Sequence, residues 1–227
     1  MKKIIFVAFF LLTICLGCSQ SVVAQGKSKG KEVRVEMVTT EGRMVFVLFN
    51  DTPLHRDNFL KLVNEHTYDS LMFHRAINRF MIQGGDPESR HARSGQMLGE
   101  GSLGYTVPAE FRKEHFHRKG ALCAARLGDN INPRKESSSC QFYIVQGQPV
   151  DPKMLDMMAQ RYGKTFSEEQ RKVYATEGGT PHLDGDYTVF GQLIEGMDVL
   201  DRIASVKTDR SDRPLNDVLI LSVKVIK

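Results

Sequence analysis

From Glu32 onward, apolar residues recur at every second position in short runs separated by glycine-bearing turns, and this period restricts the fold more than any other feature of the chain. Val33, Val35 and Met37 alternate with Arg34 and Glu36, and Thr39-Thr40-Glu41-Gly42 leads into Met44-Val45-Phe46-Val47-Leu48-Phe49. Such a pair of runs across a turn reads as an opening β-hairpin. Further short strands are predicted at 72–75, 80–83, 120–125, 140–145, 187–193 and 218–226. Helical spacing appears twice. Thr52-Pro53 supplies an N-cap and a first-turn proline ahead of Phe59, Leu60, Leu62 and Val63, and a second helix is predicted near 197–204. Many strands without a βαβ rhythm argue for a mainly β, antiparallel sheet, and closing it into a barrel would remove its exposed edges.

Composition bounds the rest. A chain of 227 residues, 41% hydrophobic, holds enough apolar material for one core, so residues 32–227 are read as one domain. Residues 1–25 are set apart: Lys2-Lys3 precedes an apolar run from Ile4 to Leu16 that is too short to span a bilayer as a permanent helix, which reads as an export signal. Two cleavage readings stand. Cys15-Leu16-Gly17-Cys18 resembles a lipobox, with cleavage before an acylated Cys18, whereas Val22-Val23-Ala24 suits ordinary signal-peptidase cutting before Gln25. Either one sends the protein to the periplasm or cell envelope, with the membrane touched only through a lipid anchor at Cys18. Residues 26–31, rich in Gly, Ser and Lys, read as a flexible tether.

The net charge of +4 is mild, Lys2 and Lys3 supply part of it, and the remainder is scattered, which argues against nucleic acid as a partner. Of four cysteines, Cys123 and Cys140 fall in the domain; buried thiols and a single bridge are both open from spacing alone. One segment breaks the β pattern. Asp151-Pro152 with Met154, Leu155, Met157 and Met158, followed by Thr165-Phe166-Ser167-Glu168 as a capping box ahead of 169–174, predicts a helical insertion over 151–176. Its methionines either pack back on the barrel or offer a contact surface.

Phe73 to Asp86 reads FHRAINRFMIQGGD, a run with an arginine, aromatics, a methionine and a glutamine but no carboxylate pair, cysteine or serine triad beside them. This stretch resembles the signature of the cyclophilins, the cyclosporin-binding class of peptidyl-prolyl cis/trans isomerases. Three further blocks resemble the same family in order: Gly120-Ala121-Leu122-Cys123-Ala124-Ala125, Ser139-Cys140-Gln141-Phe142-Tyr143-Ile144, and Leu183-Asp184-Gly185 leading to Val189-Phe190-Gly191. The resemblance runs from about 33 to 226. It implies a closed eight-stranded antiparallel barrel capped by two helices, here with the insertion near 151–176. It also implies an exported bacterial enzyme, monomeric and without cofactor or metal, that turns X-Pro bonds in proline-containing polypeptides and so assists their folding. A chaperone or scaffold that grips proline peptides with little turnover is the alternative, and a third reading takes 151–176 as an interaction surface separable from turnover.

The residue types suit that reaction. Resonance in the X-Pro amide sets a barrier of about 20 kcal/mol, and no bond needs to break. A fixed cation that stays charged beside apolar groups can stabilise the twisted state, and Arg75 is the candidate. Carried over residue by residue, the resemblance makes Arg75 and Gln83 catalytic, and lines a proline cup with Phe80, Met81, Tyr143 and Leu183. Gln141 joins Gln83 in orienting the substrate, while Ala125 and Arg126 offer backbone to an extended peptide. The strand period puts Met81 and Gln83, and Gln141 and Tyr143, on one face, with Ile82 and Phe142 turned to the core. The chain departs from the family at His182, where cyclosporin-sensitive members have tryptophan, so weak cyclosporin binding is expected; Tyr187 stands for a usual histidine. Tyr143 stands for phenylalanine and brings a hydroxyl in need of a partner, and Arg126 stands for asparagine. His115 and His117 share a strand face, but without a carboxylate or cysteine cluster they are not read as a metal site.

Overall fold

The computed structural model describes residues 32–227; the export signal, Cys18 and the tether expected over 1–31 lie outside them. Strands β1 (Val33–Thr39) and β2 (Gly42–Leu48) form the expected hairpin, with Val35 opposite Phe46 and Met37 opposite Met44, all buried. Thr39 closes the turn: its Oγ1 accepts the N–H groups of Glu41 and Gly42 at 3.1 Å each and donates to the Gly42 carbonyl.

The following strands are β3 (Arg75–Ile77), β4 (Met81–Gly84), β5 (Thr106–Val107), β6 (Ala121–Ala124), β7 (Ser137–Ser138), β8 (Phe142–Val145), β9 (Val189–Glu195) and β10 (Ile220–Ile226). Eight of the ten strands build one antiparallel sheet in the order β10-β1-β2-β9-β6-β8-β4-β3. The two remaining strands, β5 and β7, pair with each other. At two residues apiece they are too short for a period to reveal.

The sheet curls around a core of Phe46, Phe59, Phe73, Phe142, Ile144, Leu200 and their neighbours. The expected closed barrel is corrected here. Its end strands β10 and β3 share no ladder, and the seam is crossed by a single bridge, Met72 to Leu219, with hydrogen bonds from Ser70 to Ile220, Phe73 to Val218 and Ile220 to Leu71. Beyond Phe73 the backbone is diverted. The Ala76 N–H donates to the Asp212 carbonyl of the loop ahead of β10, so that loop takes the place a closing ladder would need.

Four helices occur among the described residues where two caps and an insertion were expected: α1 (Pro53–Asn64), α2 (Pro152–Tyr162), α3 (Glu168–Thr176) and α4 (Met197–Ala204). Helix α1 buries Phe59, Leu62 and Val63, and α4 buries Val199, Leu200 and Ile203, all within the main core. The insertion is the pair α2 and α3, with its own small core of Leu155, Phe166 and Tyr174 against Phe116 and Val150. Its capping box is Ser167 with Gln170, two positions after the expected Thr165 and Glu168. Cys123 and Cys140 are buried and unbridged, which closes the disulfide alternative, and burial pushes both thiols up from their ordinary value.

Thr52 does not cap α1 through its side chain; its hydroxyl bonds the Phe49 carbonyl instead. The cap comes from a distant residue. Buried Glu110 accepts the N–H groups of Leu54 at 3.2 Å and His55 at 3.0 Å, and the His55 ring Nδ1 at 2.8 Å, while His55 Nε2 meets Ser137 Oγ at 2.9 Å. One carboxylate thus satisfies helix donors that would otherwise be orphaned and ties α1 to the segment before β6. Glu110→Ala is expected to lower stability by about 3 kcal/mol, because it leaves buried N–H donors without an acceptor, with Glu110→Gln recovering part. Urea unfolding at pH 7 measures both.

A candidate peptide-binding site

A single cross-strand row sets the site. Arg75 on β3 lies opposite Gln83 on β4, Gln83 opposite Tyr143 on β8, and Tyr143 opposite Cys123 on β6. The two-residue period does the sorting. Ile82 and Phe142 join the main core, whereas Met81 and Tyr143 belong to a second apolar cluster outside it, with Phe80, Leu183 and Tyr187 against them.

This second cluster opens into a cavity of about 140 Å³ lined by Arg75, Phe80, Met81, Gln83, Ala125, Arg126, Tyr143, Leu183 and Tyr187. Nine of the residues named from sequence therefore meet around one hollow. Two do not line it. Gln141 stands behind Gln83, in a neighbouring cavity of about 470 Å³ that shares Gln83, Ala125 and Arg126 with the first. His182 lies on the rim, stacked on Phe80 with ring centroids 5.9 Å apart.

The polar groups around the hollow are held in different ways. Arg75, its side chain 42% exposed, is touched by Asp212 through Nε at 3.4 Å, which leaves its terminal amino groups without a partner among the described residues. Gln83 donates to Gln141 Oε1 at 3.0 Å, and Gln141 donates in turn to the carbonyls of Gly99 at 2.9 Å and Gly101 at 2.8 Å. The Gly99 loop is pinned from the signature's last residue, Asp86, whose carboxylate accepts the Gly99 N–H. The signature run thereby fixes its own glutamine through a detour of two loops. Gly85 is required at the turn, since a Cβ there would stand 2.3 Å from the Cys140 carbonyl and its φ is +89°.

Arg126 is not a free cation. Its guanidinium bonds the carbonyls of Asp186 and Leu127 and the Asp129 carboxylate, and it lies 4.5 Å from the Tyr187 ring centroid. The expected peptide-pairing edge is also narrower than the resemblance implied. The Ala125 N–H and C=O are already bonded to Gln141 and Ser138, whereas the Arg126 N–H and C=O have no partner among the described residues.

The Tyr143 hydroxyl finds its partner in His117, which sequence reading weighed only as a metal ligand. His117 Nδ1 lies 2.8 Å from Asp184 Oδ1, and its Nε2 lies 2.9 Å from Tyr143 Oη. A carboxylate only accepts, so Nδ1 donates its proton to Asp184, which leaves Nε2 to meet the tyrosine hydroxyl. Tyr174, on α3, donates to the other Asp184 oxygen at 2.7 Å. Asp184 also accepts the His117 backbone N–H at 2.9 Å. Burial pushes the Tyr143 and Tyr174 hydroxyls above their ordinary range. The signal for this set was present in the Leu183-Asp184-Gly185 block and in His117, but nothing local linked them.

Tyr143→Phe strands a buried His117 nitrogen, with an expected loss of about 1–3 kcal/mol in denaturant unfolding. His74, beside Arg75 in the signature, is 4% exposed with no hydrogen-bond partner for either ring nitrogen among the described residues. Burial, aided by Arg75 and Arg213 and opposed by Asp86, lowers it from 6.5 to about 4. Between those values the unfolded chain takes up a proton that the folded chain does not. Stability accordingly falls as pH drops from 6.5 toward 4, by about 3 kcal/mol in all. A His74→Leu variant should lose less over this interval; equal slopes in pH-dependent urea unfolding would show that His74 does not titrate there.

Three comparisons bear on this geometry. The family model of the cyclophilin type peptidyl-prolyl cis-trans isomerases matches residues 34–225. Putative peptidyl-prolyl cis-trans isomerases of Staphylococcus saprophyticus and Staphylococcus haemolyticus are each 40% identical to the chain, covering 87% and 86% of it and 94% and 91% of their own lengths. A crystal structure of a Cryptosporidium parvum cyclophilin type isomerase superposes with a TM-score of 0.62 at 25% identity, over 86% of this chain and 98% of that one. The same parasite protein crystallised with the dipeptide Ala-Pro gives 0.61 at 24%. With its signature row set around one apolar hollow and the match running nearly end to end through the described residues, the chain belongs to the cyclophilin-type peptidyl-prolyl cis-trans isomerases.

Proposed function

We propose that the hollow takes the proline ring of an X-Pro segment and that Arg75 lowers the barrier to rotation about the bond before it. The observation that carries this is the placement of a partly free guanidinium on the same wall as Phe80, Met81, Tyr143 and Leu183. Met81, Tyr143 and Leu183 hold the ring still by contact, which fixes one side of the bond while the other turns. As the amide twists, resonance is lost and the proline nitrogen regains a lone pair. The terminal amino groups of Arg75 donate to that nitrogen and to the moving carbonyl, an interaction that is stronger in the twisted state than in either planar one. Gln83, its amide nitrogen committed to Gln141, turns its oxygen to the substrate. The residues before proline run extended and pair with the free backbone of Arg126.

The substrates are proline-containing polypeptides in the envelope or outside the cell, where isomerisation assists their folding. Support for this location is the charged and apolar leader of residues 1–25, with Cys18 as the site of a lipid anchor. Arg75→Ala is expected to lower kcat/KM for a proline tetrapeptide by about 100-fold, while peptide affinity changes only a few-fold. A protease-coupled isomerase assay with parallel peptide titration reads both. Wild type and variant turning over equally slowly while both bind peptide would leave only the grip of a binding protein.

A further inference from the structure

Helix α2 presents Met154, Met157 and Met158 at spacings of three and four residues, on one side of the helix. Leu155, the neighbour of Met158 at a spacing of three, is buried in the small core of the insertion and anchors the helix there. Met154 is 47% exposed and Met157 62% exposed, so neither is needed to hold the helix in place. Unbranched thioether side chains suit a surface that must fit varied apolar partners. Met154, Met158 and Tyr162 follow one another at spacings of four, which puts Tyr162 in line with two of the three methionines. Phe80, in the hollow, stacks on His182, and His182 lies 6.4 Å by ring centroid from Tyr162 at the end of α2.

We propose that α2 is a second binding surface for the same polypeptide whose proline sits in the hollow, and that it takes up an apolar stretch of the unfolded chain flanking that proline. The inference rests on the reading of the hollow as a proline site. The occupant follows from two facts. Rings step from the hollow to the helix, Phe80 to His182 at 5.9 Å and His182 to Tyr162 at 6.4 Å between centroids, so a chain leaving the hollow past Phe80 is led onto α2. The exposed length then available, 11 residues of helix, is about 16 Å, the reach of about five extended residues. The surface favours extended, unfolded chains over folded ones, because only an extended chain lies in the hollow and along the helix together. Its binding energy adds to that of the hollow, so it raises affinity for long substrates and leaves the rotation step itself alone.

The test compares a short and a long ligand on the full chain. Met154→Glu combined with Met157→Glu is expected to leave turnover of a proline tetrapeptide within two-fold of wild type. The same variant should bind permanently unfolded, reduced and carboxymethylated α-lactalbumin at least 10-fold more weakly, as read by fluorescence titration. Met154→Leu with Met157→Leu, which keeps the apolar surface, should bind as wild type does. Unchanged α-lactalbumin affinity in the glutamate variant, or absence of binding by wild type, overturns the proposal. So does an equal loss of tetrapeptide turnover, since that marks a structural effect. A wild-type dimer split by the glutamates in sedimentation would assign the face to a second copy and likewise overturn it. Should wild type fail to turn over the tetrapeptide while still losing α-lactalbumin through these substitutions, the enzyme reading falls and the helix surface stands.

Discussion

The site depends on register. A strand alternates its faces every residue, so the pairing of Gln83 with Tyr143 puts Ile82 and Phe142 into the core in the same stroke that turns Gln83, Tyr143 and Met81 outward. A slip of one residue would send the polar row into the apolar interior and expose an isoleucine and a phenylalanine. The cost of that exchange holds the row in place. Function here needs no special strain: the packing of the core fixes where the arginine row stands.

A second constraint is electrostatic. Asp184 gathers a backbone N–H, the His117 ring and the Tyr174 hydroxyl around one partly buried carboxylate, and His117 passes the arrangement to the Tyr143 hydroxyl. Each member is satisfied by the next, so a pocket wall that carries an extra polar atom relative to phenylalanine stays buried without a deficit. Elsewhere the same logic lets Glu110 serve α1 and His55 at once. In both cases the carboxylate is tolerated inside because each of its two oxygens has a donor.

What could be read from the sequence divides along the range of the forces involved. The hairpin, the outward pairs Met81 with Gln83 and Gln141 with Tyr143, and both halves of the insertion followed from periods of two and 3.6, which are properties of neighbouring residues. The gathering of Phe80, Leu183 and Tyr187 around Arg75 followed from family resemblance alone. Long-range polar bonds left no local trace: Arg75 meets a carboxylate 137 positions away, and His117 one 67 positions away. The helix cap was misread for the same reason, since Thr52 fits the local rule but the donors turn to Glu110. Closure of the sheet was misread because strand counting says nothing of what the Ala76 N–H will choose, and it chooses the Asp212 carbonyl. That choice also brings the Asp212 side chain to Arg75.

Tyr174 alters how the insertion should be regarded. A helical hairpin added to a β domain looks like a module that could be excised or transplanted without harm. Yet one of its tyrosines completes the hydrogen bonding of Asp184, and through His117 that carboxylate reaches the Tyr143 hydroxyl in the wall of the hollow beside Arg75. Trimming the appendage would remove a hydrogen bond from the carboxylate behind the Tyr143 wall of the hollow. The hairpin and the hollow are thus joined by one chain of hydrogen bonds.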